Sequence, residues 1–250
     1  MTQESDAVLA REIAEAAGAI LLAVRASVLF DGKALGQAGD RIANALILEK
    51  LAQARPDDAV LSEESVDDLA RIDRSRVWII DPLDGTREYS EGRDDWAVHV
   101  ALAIDGLPAI GAVALPAQGV TLASDQPTPL PAPGDPPRML VSRTRPAREA
   151  TEIAATIGAV LVPMGSAGAK AMAILRGQAD IYLHSGGQYE WDSCAPVAVA
   201  AASGLHVSRL DGSPLVYNRA DVYLPDLLIC RPDIAPRLLA LVAELGSAPN

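Results

Sequence analysis

Cysteine is scarce in this 250-residue chain, which carries only Cys194 and Cys230. Two thiols make no disulfide framework, and they predict free thiols in a reducing compartment, with the cytoplasm as the expected location. Histidine is nearly as rare, with three residues. No Cys or His cluster surrounds His99, His184 or His206, which argues against zinc. Positive charge is in deficit: 21 Lys and Arg stand against 33 Asp and Glu, a formal net charge of −12. That excludes the basic footprint of a nucleic-acid or anionic-membrane binder. A small anionic substrate stays open, because metal ions can bring the missing positive charge. No apolar run approaches the ~20 residues of a bilayer span. The N-terminus starts acidic, lacks a basic n-region and reads as a capped helix, not a signal peptide.

What remains is an ordinary globular composition. Half of the residues are apolar, with 19 Gly and 18 Pro, so a substantial core is available. Residues 6–29 have helical periodicity behind Ser5 or Asp6 as N-cap. The glycine-bearing segment 31–40 reads as a loop before a second helix over Arg41–Gln53. Val77–Asp81 reads as a buried strand ended by Pro82, and 96–104 with 109–116 as a hairpin. Six prolines in 125–137 block helix and central strand alike. We place a boundary there, between an N-terminal unit 1–137 and a C-terminal unit 138–250. Beyond it strands are expected at 138–142, 159–163, 179–183 and 224–230. Helices are expected at 146–156, 167–176, 194–202 and 234–245, an α/β alternation.

The sharpest chemistry lies in Asp81-Pro82-Leu83-Asp84-Gly85-Thr86. Two carboxylates three residues apart stand where a buried strand ends. Pro82 turns the chain, Gly85 permits close backbone approach, and a helix start after Gly85 would offer N–H groups to a phosphate. Carboxylates with a main-chain carbonyl are hard oxygen ligands suited to Mg²⁺, and crowding them is costly without a cation. A second acidic cluster, Ser62-Glu63-Glu64-Ser65, and a third, Glu190-Trp191-Asp192, are weak signals by themselves; Asp192 alone reads as an N-cap. Arg143 and Lys170 are candidates for a remote phosphate. Arg87 could meet a phosphate or pair with Glu88 or Glu91.

Other phosphatase chemistries fit poorly. A haloacid-dehalogenase-type motif needs an aspartate at position 82, which is proline. A cysteine phosphatase needs Arg six residues after Cys, but Ala200 and Pro236 stand there. Gly165–Lys170 is too short for a P-loop, and no Ser or Thr follows Lys170.

Taken in order, Asp40, Glu63-Glu64, Asp81–Thr86 and Trp191-Asp192 resemble the inositol monophosphatase superfamily of magnesium-dependent, often lithium-sensitive phosphomonoesterases, over roughly residues 5–245. Arg87-Glu88-Tyr89, Val141-Ser142-Arg143 and Gln188–Asp192 are similar to its 3′(2′),5′-bisphosphate nucleotidase branch, in particular the actinobacterial sulfur-assimilation members, which act on 3′-phosphoadenosine 5′-phosphate. The resemblance implies a layered α-β-α-β-α sandwich, a homodimer and two or three Mg²⁺ per site. It implies Glu63, Asp81, Asp84, Asp192 and the Leu83 carbonyl as metal ligands. Thr86 with Asp40 would orient the attacking water, and Glu63 belongs to the catalytic set. Gly85, Thr86 and Arg87 would receive the scissile phosphate, and Ser166 and Lys170 the nucleotide. Two departures stand out. Ser185 replaces the glutamate that contacts inositol in inositol monophosphatases, and the 165–170 loop is one residue longer than the usual nucleotidase loop. Inositol 1-phosphate, fructose 1,6-bisphosphate and an inactive ligand-binding relative remain alternatives.

Overall fold

The structure is a computed structural model, and it describes residues 5–247. Its first elements are two antiparallel-packed helices, α1 (Asp6–Ala26) and α2 (Gly32–Ala54). Ser5 caps α1, its hydroxyl accepting the Val8 N–H at 3.3 Å. A five-stranded sheet follows: β1 (Ala59–Ser62), β2 (Arg76–Asp84), β3 (Ala97–Ile104), β4 (Leu107–Leu115) and β5 (Val120–Ala123), hydrogen-bonded in that order. The short α3 (Thr86–Ser90) leaves β2 at its end.

The proline-rich stretch 125–137 carries no helix or strand, as its composition requires. A second sheet, ordered β7-β6-β8-β10-β9, follows it. Its strands are β6 (Arg138–Ser142), β7 (Val160–Met164), β8 (Ile181–Tyr189), β9 (His206–Ser208) and β10 (Tyr223–Cys230). The helices between and after them are α4 (Arg148–Ile157), α5 (Ala167–Leu175), α6 (Glu190–Ala202) and α7 (Ala235–Ser247).

Strand alternation builds the layers. Trp78 and Ile80 of β2 face α1 and α2, in a cluster with Ile13, Leu21 and Ile47. Val77 and Ile79 face the other way, into a cluster with α5, α6 and Tyr182, Leu227 and Ile229 of the second sheet. On the far side of that sheet, Met139, Val141 and Leu228 meet α4 and α7. This is the expected α-β-α-β-α sandwich. At ~25 cal/mol per Å² of apolar burial, a run buried on both faces such as Val77–Ile80 anchors both inner layers, and it ends at the candidate site.

Three local expectations are corrected. Segment 31–40 is not a loop: α2 begins at Gly32. Its glycines serve close packing instead, since a Cβ on Gly36 would lie 2.6 Å from Thr86 Cγ2 and one on Gly39 3.1 Å from Leu83 Cδ2. Pro82 does not end β2, which runs to Asp84 through a register shift against β3 between Asp81 and Asp84. Because Pro82 has no N–H for the ladder, the strand bulges there and both carboxylates stay at its end. Asp192 is no N-cap, because α6 starts at Glu190 and Asp192 lies in its first turn.

Candidate active site

Register alone brings the first carboxylates together. β1 and β2 run parallel with Ser62 opposite Ile80, and the Glu63 N–H donates to the Ile80 carbonyl at 3.2 Å. Glu63 therefore stands beside Asp81. Ser62 is buried and donates to Asn44 of α2 at 2.7 Å, which fixes this turn against the helix layer. Asp81 Oδ1 accepts the Leu83 N–H at 3.0 Å, an Asx-type turn that holds the bulge open. α6 enters from the other layer and delivers Asp192, whose Oδ2 accepts the Tyr189 N–H at 2.6 Å.

The result is a group of three carboxylates, Asp81, Asp84 and Asp192, with one oxygen of each within 4.8 Å of the others. Its electrostatics are those of a site short of positive charge. Burial, then the charges of Glu63, Asp84 and Asp192, push Asp81 well above the usual carboxylate range. Glu63 is raised to about 7, by burial of its carboxyl end against the cluster and then by Asp192, although the residue as a whole is exposed. Asp192 rises to about 6 through burial and Asp84. Asp84 behaves oppositely. Burial works against its charge, but His99, Ser166 and Lys170 outweigh it and hold Asp84 at about 2. Hard oxygen donors, mutual repulsion and this lack of compensating charge fit a divalent cation.

Thr86 lies at the side of this cluster. Its hydroxyl is placed to donate to the Leu83 carbonyl at 3.1 Å or to Asp40 Oδ1 at 3.4 Å. Asp40 is buried on α2, and burial followed by Glu64 raises it to about 7 against the Thr86 hydrogen bond. The glycine contacts of α2 bring it this close to α3. Gly85, at φ +90°, is in the left-handed region that the turn into α3 needs.

A cavity of about 270 Å³ opens beside this point, lined by Gly85, Thr86, Arg87, Arg143, Ser166 and Lys170 among others. The expected substrate residues thus share one cavity, but with unequal freedom. Arg87 is exposed and has no ion-pair partner among the described residues. It is Arg143 that pairs with Glu88 and Glu91, at 2.9 and 2.8 Å. Lys170 is buried, donates to the Ser166 carbonyl at 2.6 Å and lies 5.2 Å from the Tyr182 ring centre. Ser166 donates to Asp84 Oδ2 at 2.5 Å. Ser185, at the departure noted above, donates to Glu149 of α4 at 2.5 Å.

Sequence reasoning missed His99. The ring is fully buried, its Nε2 3.2 Å from Asp84 Oδ2 and its Nδ1 3.0 Å from the Trp191 carbonyl. The Nε2 contact is at ion-pair distance but does not have the geometry of a hydrogen bond. Burial disfavours the charged ring, yet Asp84 outweighs it and the His99 pKa rises. A signal existed: His99 interrupts the apolar β3 on the face opposite Val98 and Val100, and it pairs in register with Asp81.

The chain belongs to the inositol monophosphatase family, whose model matches residues 3–247. Within that family it is 56% identical, over 91% of its length and 90% of the relative's, to a 3′-phosphoadenosine 5′-phosphate phosphatase of Mycobacterium bovis. It is 30% identical to the 3′(2′),5′-bisphosphate nucleotidase CysQ of Escherichia coli, over 75% of this chain and 81% of that one. The solved structure of CysQ from Bacteroides thetaiotaomicron superposes with a TM-score of 0.78 at 25% identity, covering 92% of this chain and 98% of that one.

Proposed function

We propose that this chain is a 3′-phosphoadenosine 5′-phosphate phosphatase. Water adds to the 3′-phosphorus, the P–O3′ bond breaks, O3′ takes a proton, and AMP and phosphate leave. The observation that carries the reading is the carboxylate group Asp81, Asp84 and Asp192, joined through the Ser166–Asp84 hydrogen bond to a cavity lined by Ser166, Arg87 and Arg143. The 56% identity to a phosphatase of that name supports the same substrate.

In this reading Glu63, Asp81 and the Leu83 carbonyl would hold one Mg²⁺, and Asp81, Asp84 and Asp192 a second. Bound there, Mg²⁺ supplies the positive charge that polarises the phosphoryl group and acidifies a water. The protein's own part is alignment. Thr86 presents its hydroxyl to the attacking water, and Asp40, raised to about 7, is matched to hold that water's proton near neutral pH. Gly85, Thr86 and Arg87 receive the scissile phosphate. Arg143 and Lys170 border the space for the 5′-phosphate, and Ser166 acts on Asp84. A cytoplasmic, lithium-sensitive homodimer goes with this reading, resting on the resemblance. No helix among the described residues is long and apolar enough to cross a membrane.

The test is phosphate release with Mg²⁺ from 3′-phosphoadenosine 5′-phosphate, inositol 1-phosphate and fructose 1,6-bisphosphate, with Asp84→Asn as control. Preference for the nucleotide, lost in the variant, supports the proposal. Preference for inositol or fructose phosphate overturns the substrate, and no release from any of them overturns the activity.

A further inference from the structure

Asp84 Oδ2 is engaged by the Ser166 hydroxyl at 2.5 Å, the Gly168 N–H at 2.7 Å and His99 Nε2 at 3.2 Å. Its other oxygen takes part in none of these contacts. Two of the three contacts come from one segment, Gly165–Gly168, which enters α5. That segment is held in a conformation that a free chain avoids. Ser166 has φ +51° and ψ 133°, in the region where non-glycine residues are strained. Such a backbone persists only when its surroundings over-determine it.

Asp95 supplies that constraint. It is a buried residue just before β3, and its Oδ2 accepts the Gly165 N–H at 2.7 Å. Arg93 grips the same carboxylate through Nε and Nη2, at 2.7 and 2.9 Å, and so fixes its orientation. Burial opposes the Asp95 charge, but Arg93 and the Gly165 N–H outweigh burial and the pKa falls. Gly165 is packed closely against Glu88, since a Cβ there would overlap that side chain. Gly168 is equally confined, because its Cβ would overlap the His99 ring. The bond from Asp95 to Gly165 therefore joins the first sheet to the second half of the chain one residue before Ser166.

We propose that Asp95 is a positioning residue: through Gly165 it holds the strained Ser166 backbone so that Ser166 and Gly168 fix the Asp84 carboxylate for metal. The inference rests on the reading of Asp84 as a metal ligand. Groups that orient a metal's direct ligands typically change affinity about 10–100-fold when removed.

The experiment compares the full-length protein with Asp95→Ala, Asp95→Asn, Ser166→Ala and the Asp95→Ala/Ser166→Ala double variant. Mg²⁺ affinity is measured by calorimetry without substrate, alongside Tm in chelator and kcat and KM at saturating Mg²⁺. Asp95→Ala is expected to weaken Mg²⁺ binding about tenfold or more, lowering kcat with little change in KM. Asp95→Asn keeps an acceptor for the Gly165 N–H without the charge and is expected to restore most of the affinity. Adding Ser166→Ala to Asp95→Ala is expected to weaken binding far less than it does alone, since both act on one contact. A lowered Tm with unchanged Mg²⁺ affinity overturns the proposal in favour of a structural role. So does an Asn variant as weak as Ala, which would make the effect one of net charge. Wild-type protein that binds no Mg²⁺ overturns instead the metal reading on which the inference stands.

Discussion

His99 Nε2 faces Asp84 Oδ2 at 3.2 Å inside a fully buried pocket. This contact separates two carboxylates that sit three residues apart. Asp84 has an imidazole of raised pKa, a hydroxyl and an amide beside it and stays ionised, whereas Asp81 has mainly other carboxylates. The site thus carries one stable anion and one costly one until a cation arrives.

Opposite stability effects should follow from two similar substitutions. In chelator, Asp84→Asn takes away the carboxylate that holds up the His99 pKa and accepts from Ser166 and Gly168, a loss of about 1–3 kcal/mol for buried groups left without their partner. Asp81→Asn replaces a buried carboxyl whose ionisation its neighbours oppose with a neutral group of the same shape, and is expected to leave Tm unchanged or higher. Both variants should lose activity. Thermal unfolding with EDTA checks this, and a lower Tm in Asp81→Asn would contradict it.

Stability of the metal-free protein should fall as pH rises. Asp40 and Glu63 are raised to about 7 and Asp192 to about 6. Between pH ~4 and ~7 the folded state therefore binds more protons than the unfolded one, so stability decreases with pH across that window. Added Mg²⁺ replaces those protons and should flatten the curve. Tm measured from pH 4 to 8, with EDTA and with Mg²⁺, reads both effects.

Gly36→Ala sets helix propensity against packing. Alanine favours a helix by about 1 kcal/mol over glycine. Its Cβ would meet Thr86 Cγ2 at 2.6 Å and Ser90 Oγ at 2.8 Å. Overpacking of this kind costs about 1–3 kcal/mol, so a lower Tm is expected. The Thr86–Asp40 contact should also shift, reducing kcat. A stabilised, fully active variant would show that α2 and α3 separate easily.

Arg143→Ala should raise KM for 3′-phosphoadenosine 5′-phosphate several-fold, since a guanidinium that borders the cavity is lost, while kcat changes little. Release of Glu88 and Glu91 from Arg143 would add negative charge to the cavity and act in the same direction. Steady-state kinetics decide the matter, and an unchanged KM would remove Arg143 from substrate recognition.

Much of the site was legible in sequence because its signals are local. An apolar run ending in Asp-Pro-Leu-Asp-Gly-Thr requires a buried strand, a turn of the chain and two converging carboxylates. These depend on the missing proline N–H and the freedom of glycine, both properties of single residues. Two of the three errors, the loop at 31–40 and the strand ending at Pro82, came from reading Gly36, Gly39 and Pro82 by propensity alone. Helix packing at Gly36 and Gly39 outweighed the first, and a bulge accommodated the second.

By itself the sequence determined the strand-end carboxylates, the thiols that stay free and buried, and the α/β alternation beyond the proline-rich stretch. Tertiary structure alone decided which groups answer those carboxylates. His99 is 15 residues from Asp84 in the chain and Ser166 is 82 away, and Asp95 lies 70 from Gly165. No periodicity links such positions. Their meeting depends on the packing of α5 and α6 between the two sheets, where burial makes each unpaired charge expensive and so selects the partners that neutralise it.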